Sequence, residues 1–102
     1  MKPIKERTFT IKNELGLHAR AANMVVQTAS NFGCTITVIK DGIEANAKSI
    51  MGLLLLAAGQ GAKIVVKATG RDAKAAIEEI SKLVEDKFGE KEHKATKRRE
   101  DS

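Results

Sequence analysis

The chain has 102 residues, 42% hydrophobic and 30% charged, which is enough for one domain around a single core. Its three Phe, with no Trp or Tyr, leave the core to aliphatic side chains and Ala, and its one Cys excludes an internal disulfide framework and fits a reducing compartment. Lys and Arg number 18 against 13 Asp and Glu, a net charge of +5. That excess can steer an acidic partner, but it is not the concentrated basic stripe of a dedicated nucleic-acid binder. Without an aromatic-rich strand to stack bases, no nucleic-acid partner is expected.

The longest apolar run, Leu53 to Ala58, is far too short to cross a bilayer. The polar start has no cleavage pattern. The expectation is a cytoplasmic monomer with no direct membrane insertion.

In chain order, Arg7 to Ile11 alternates and predicts a half-buried strand. Asn13 to His18 reads as a loop. From Ala19 the pattern turns helical, with Ala22, Val25, Val26, Ala29 and Phe32 on one face. Asn31 and Gly33 are expected to end that helix, Gly33 through a left-handed cap. Cys34, Ile36 and Val38 alternate with Thr as a second strand, and Cys34 is expected as a buried small hydrophobe. Asp41-Gly42 signals a hairpin into a short strand at Ile43 to Ala45. Ser49 is placed as the N-cap of a short helix, with Gly59 past its end. Lys63 to Thr69 alternates as a fourth strand. Asp72 can cap a last helix whose Ala73, Ala76, Ile77, Ile80, Val84 and Phe88 share one face.

The order is therefore β-α-β-β-α-β-α, an α+β fold with a four-stranded antiparallel sheet and three helices on one face. Residues 1–88 form the domain. Residues 89–102 have no apolar periodicity and are expected to be a charged, mobile tail.

The chemistry is expected at His18. A loop-to-helix junction sets it beside the first-turn N–H groups, which have no partners inside the helix. Those groups and the helix dipole attract an anion and favour a neutral ring with a nucleophilic nitrogen. Arg20 can fold back to the same place with a planar fork of donors. Together they could accept a phosphoryl group without a metal or cofactor. The plainer alternative is that His18 caps the helix and Arg20 is a solvated charge. Ser49 likewise has a plain role as a cap. Leu17, Met51 and Leu54 are candidates for an exposed docking patch, the alternative being that all three are core.

Other signals carry less. His93 stands in a charged stretch without ligand partners, and two His and one Cys make no zinc site. Gly59-Gln60-Gly61 lacks the rest of a dinucleotide fingerprint. Lys97-Arg98-Arg99 is a short basic cluster, read as solvated.

The segment Gly16-Leu17-His18-Ala19-Arg20 resembles the active loop of HPr, the histidine phosphocarrier family of the bacterial phosphotransferase system. Val26-Gln27-Thr28-Ala29-Ser30 resembles the end of that family's first helix. Lys48-Ser49-Ile50-Met51-Gly52-Leu53 is similar to its regulatory-serine segment, and Gln60-Gly61-Ala62-Lys63-Ile64 to its approach to the fourth strand. The likeness runs from about Thr8 to Phe88. It implies an open-faced β-sandwich in which His18 takes a phosphoryl group from phosphorylated enzyme I through Nδ1, aided by Arg20. His18 would then pass it to the IIA domain of a permease or regulator. It also implies that Ser49 is a target of HPr kinase/phosphorylase. One position departs: the family usually has Pro after the Arg, where this chain has Ala21. Ala keeps a backbone donor and is a good helix former, so transfer is expected to persist, at a lower rate or with a particular partner. The resemblance leaves open a second reading, a regulatory interaction module of nitrogen type or acting through Ser49, with little sugar flux.

Overall fold

The structure is a computed structural model that describes residues 3–90. Four strands, β1 (Ile4–Thr10), β2 (Thr35–Lys40), β3 (Ile43–Asn46) and β4 (Lys63–Thr69), alternate with α1 (Ala19–Ala29), α2 (Ile50–Leu55) and α3 (Ala73–Glu85). A short left-handed turn, Lys87–Gly89, follows α3. The sheet order is β1-β4-β2-β3, with every pair antiparallel.

The register puts the apolar residues of each strand on the helix side. Phe9 lies opposite Ile64, Ile36 opposite Ala68, and Val38 opposite both Val66 and Ala45. All seven are buried. The other face carries Thr8, Thr10, Thr35, Thr37, Lys63 and Lys67 and stays open, as an antiparallel sheet permits. The buried stripes Ala21, Ala22, Val25 and Ala29 of α1 and Ala73, Ala76, Ile77, Ile80 and Val84 of α3 close the core. Ala supplies many of these contacts, so the helices sit close to the sheet without aromatic filling.

The structure departs from the sequence reading at several ends. β1 begins at Ile4, because backbone pairing with β4 continues to Thr69 although Ile4 to Thr8 are exposed. α1 ends without a left-handed cap. Asn31 N–H donates to Thr28 O and Phe32 N–H to Ala29 O, so the last turn tightens into three-residue steps, and Gly33 has no positive φ. After α2 the left-handed residue is Ala57 (φ 51), not Gly59.

Asp72 stands at the N-cap of α3, but its side chain does not cap. Its carboxylate accepts instead from Gly33 N–H at 2.9 Å and Cys34 N–H at 3.1 Å. These amides, left over where α1 gives way to β2, need an acceptor. The Gly33 amide leads the influences that hold the Asp72 carboxyl below its ordinary value, followed by the Cys34 thiol, with the Cys34 amide contributing less. Burial, and then the Asp72 carboxylate, push the Cys34 thiol up to about 11. Cys34 is buried, as expected of a small hydrophobe.

Phe88 is buried too, but from the turn after α3 and not from the helix stripe. Lys87, Phe88 and Gly89 all take positive φ (54, 55 and 73), a conformation that costs non-glycine residues about 1–2 kcal/mol each. Glu90 follows this turn and bonds to the domain. Ordered contacts thus reach Glu90. The remaining residues of the expected tail, including His93 and Lys97-Arg98-Arg99, lie outside the described residues.

Candidate functional site

The loop from β1 to α1 is built around Gly16. Its φ is +66, and a Cβ placed there would meet Ala58 O at 2.5 Å and Gly59 Cα at 2.7 Å. Only glycine fits that close approach between the loop and the chain after α2. Leu17 N–H then donates to Ala58 O at 2.8 Å, and the Leu17 side chain turns into the core at 6% exposure. Leu17 is therefore an anchor and not part of a docking patch. Leu15, on the other side of the left-handed Gly16, stays exposed at 63%.

That anchoring presents His18 at the N-cap of α1, with φ −82 and ψ −178. Its N–H donates to Gly16 O at 2.9 Å and its carbonyl accepts from Ala22 N–H at 2.7 Å. The ring is half-buried. Nε2 is the occluded ring nitrogen and has no hydrogen-bond partner. The ring does not cap the helix through a hydrogen bond, and the first turn holds no acidic residue. The N–H groups of Ala19, Arg20 and Ala21 are thus left as the helix's positive end. Arg20 is exposed, two residues on, and no hydrogen bond or ion pair engages its guanidinium among the described residues. Ala21 is fully buried, and α1 starts cleanly at Ala19 without a proline.

Ser49 caps α2, its Oγ accepting from Gly52 N–H at 3.0 Å. The plain reading of this residue therefore holds, whatever else it does. Leu53 on α2 and Leu56 just after it are buried, Leu54 packs half-buried against the core, and Met51 and Leu55 are 66% and 73% exposed. Met51 is therefore available as a contact residue, while Leu54 is largely committed to the core. Leu55 and Leu15 were missed. The signal for Leu55 was present: positions 51 and 55 share a helix face, turned away from 53.

Two polar residues were also missed. Asn13 is buried at 1%, and its Nδ2 donates to Gly16 O and to Glu90 Oε1, both at 2.8 Å. A lone Asn in a polar loop gives no periodic signal of burial, and Glu90 looks like the first residue of a charged tail.

Among the described residues no group of three His, Cys, Asp or Glu could hold a metal, and no helix is long and apolar enough to cross a membrane. A cleft of roughly 840 Å³ opens at the other end of α1, lined by Cys34, Thr69, Arg71 and Asp72 among others. It contains none of the His18 loop, so this cleft and His18 are separate features.

Residues 5–86 match the family described as PTS HPr component phosphorylation site. The phosphocarrier protein HPr of Xylella fastidiosa (strain Temecula1 / ATCC 700964) is 48% identical over 85 residues, 83% of this chain and 96% of the relative. The phosphocarrier protein NPr of Shewanella violacea is 46% identical over 85 residues, 83% of this chain and 93% of the relative. A crystal structure of HPr-C-His from Thermoanaerobacter tengcongensis superposes with a TM-score of 0.83 at 49% identity, covering 86% of this chain and 99% of that one. The open sheet backed by three helices, with a histidine at the head of the first, is thus the architecture of phosphotransferase-system phosphocarriers. This chain belongs to the HPr family.

Proposed function

We propose that this protein accepts a phosphoryl group on His18 Nδ1 from phosphorylated enzyme I and passes it to IIA domains of sugar permeases or regulators. The observation that carries the reading is His18 at the uncapped head of α1, with Nε2 occluded and Arg20 unengaged. With the proton on Nε2, the Nδ1 lone pair attacks phosphorus. The bond from phosphorus to the donor breaks, and its electron pair leaves with the donor. Three phosphoryl oxygens then lie where the first-turn N–H groups and the Arg20 guanidinium can take their charge. The reverse sequence, with the IIA nucleophile attacking, empties His18. No turnover reaction of its own is required, so the protein acts as a carrier and not as an enzyme, and no cofactor enters.

Met51 is proposed as a contact for these partners, now joined by Leu55 and Leu15, whose exposed apolar side chains favour docking. Ser49 is proposed as a regulatory phosphorylation site for HPr kinase/phosphorylase. A phosphate there keeps an acceptor at the head of α2 and adds charge without opposing the helix. The similarity to an NPr favours keeping a second reading, a nitrogen-type regulatory carrier with little sugar flux.

The test is phosphoryl relay with purified enzyme I, phosphoenolpyruvate and a IIA domain. Wild-type protein should become labelled and pass the label on. His18→Ala should take none, and Arg20→Ala should take it more slowly. Label on wild type that survives in His18→Ala would reject the assignment. Label that reaches no sugar IIA but does reach a nitrogen-type one would favour the second reading.

A further inference from the structure

The loop that presents His18 is held from the far end of the chain. Asn13 is the one polar side chain among the buried residues described. Its two donor bonds, to Gly16 O and Glu90 Oε1 at 2.8 Å each, fix which way the amide faces. Its Oδ1 consequently points to a place with no partner. An amide left half satisfied in the interior is held by what its donors gain. Gly16 O is the same oxygen that receives His18 N–H at 2.9 Å. A carboxylate, an amide and a carbonyl thus stand in series, ending at the backbone of His18: Asn13 Nδ2 donates to both oxygens, and Gly16 O accepts from both Asn13 and His18. The two Glu90 oxygens also face Leu15 N–H at 3.4 Å.

Delivering Glu90 to this place takes unusual backbone. Lys87, Phe88 and Gly89 are consecutive left-handed residues. Phe88 is buried and anchors the turn, and Glu90 N–H donates back to Lys87 O at 2.9 Å. Such strain persists where surrounding contacts over-determine it, and it clusters at functional sites. The family match ends at residue 86, so it assigns Glu90 no role.

We propose that Glu90, acting through Asn13 and the Leu15 amide, is a positioning residue that sets the conformation of the Asn13–His18 loop for phosphoryl transfer. This deepens the phosphocarrier reading and rests on it. The Glu90 carboxylate touches neither the ring nor the incoming group. It fixes the loop backbone from which the ring is presented, and small displacements of a reacting group cost rate steeply.

The experiment compares wild type, Glu90→Ala, Glu90→Gln, Asn13→Ala and the double alanine variant as acceptors from phosphorylated enzyme I, over a range of acceptor concentrations. Glu90→Ala should lower the maximal rate roughly tenfold or more with KM changed far less, because the exposed contact residues Met51 and Leu55 on α2 stay in place. Glu90→Gln keeps an acceptor for Asn13 and should restore most of the rate. The double variant should be no slower than the slower single one, because both break one chain of bonds. Amide NMR spectra of the free proteins supply an independent readout: Glu90→Ala should move the Leu15, Gly16, Leu17 and His18 signals and leave those of the sheet in place. An unchanged maximal rate, a defect confined to KM, no rescue by Gln, or unmoved loop signals would overturn the proposal. If wild type accepts no phosphoryl group, the carrier reading fails instead, and the loop signals alone judge whether Glu90 sets the loop. If Asn13→Ala does not fold, the two Glu90 variants carry the test.

Discussion

Gly16→Ala is the sharpest perturbation of the loop geometry. The added methyl would sit 2.5 Å from Ala58 O and 2.7 Å from Gly59 Cα, both backbone atoms that cannot rotate away. The positive φ of +66 adds about 1–2 kcal/mol for a residue with a Cβ. Relief of the overlap costs roughly 1–3 kcal/mol more. Moving the strands of chain apart also strains the Leu17 N–H bond to Ala58 O, worth about 1 kcal/mol. The expected loss is about 3–6 kcal/mol, a large part of the roughly 5–15 kcal/mol typical of a domain. Urea unfolding should read this as a lower midpoint with an unchanged slope. Gly59→Ala is the matched control one turn of chain away: nothing lies within 4 Å of its added Cβ and its φ is not positive, so it should be neutral or slightly stabilising. A Gly16→Ala midpoint within experimental error of wild type would refute the reasoning. So would equal losses at the two glycines, which would mean that backbone freedom matters and the close approach does not.

Ser49→Ala should cost about 1 kcal/mol of stability through the lost cap on Gly52 N–H, read by urea unfolding. Ser49→Asp retains an acceptor there, so stability should hold while enzyme I-dependent labelling slows. A large loss of stability in Ser49→Asp would contradict that. Because the folded-state carboxyl of Asp72 is held low by the Gly33 amide and the Cys34 thiol, its contribution to stability is complete above its ordinary value of 3.8 and is lost as pH falls through the folded value. The stability gap between wild type and Asp72→Asn, followed by unfolding from neutral to acid pH, should therefore narrow on acidification, and a gap that widens would carry the wrong sign. Cys34, with its thiol pushed from 9.0 to about 11, should react with iodoacetamide at pH 8 roughly a hundredfold more slowly than an unperturbed thiol, because the thiolate is the nucleophile. Alkylation of the folded protein at the unperturbed rate would contradict its burial.

The element order was legible because each strand and helix states its own period: Ile64, Val66 and Ala68 alternate, and Ala73, Ala76, Ile77, Ile80 and Val84 recur at helical steps. His18 was legible for another reason. A loop ending at the head of a helix puts its last residue over free N–H groups, whatever the sheet does. What could not be read were contacts between segments far apart in sequence. Leu17 looks free to dock until Ala58 O takes its amide. Asp72 looks like a cap until two idle amides near Cys34 compete for it, and charge prefers the donors that have no other acceptor. Glu90 looks solvated until a left-handed turn folds it onto Asn13. The Ile4 end of β1 was hidden because its pairing is made by backbone, which side-chain alternation does not report.

The account stands on one covalent bond. Protein labelled uniformly with ¹⁵N, incubated with enzyme I and phosphoenolpyruvate and observed by long-range proton–nitrogen NMR, reports which ring nitrogen becomes bonded to phosphorus. A new P–N signal at His18 Nδ1, with Nε2 still protonated, is the result expected. Phosphorus on Nε2, or an unmodified His18 ring beside an enzyme I that phosphorylates an authentic HPr, would contradict it.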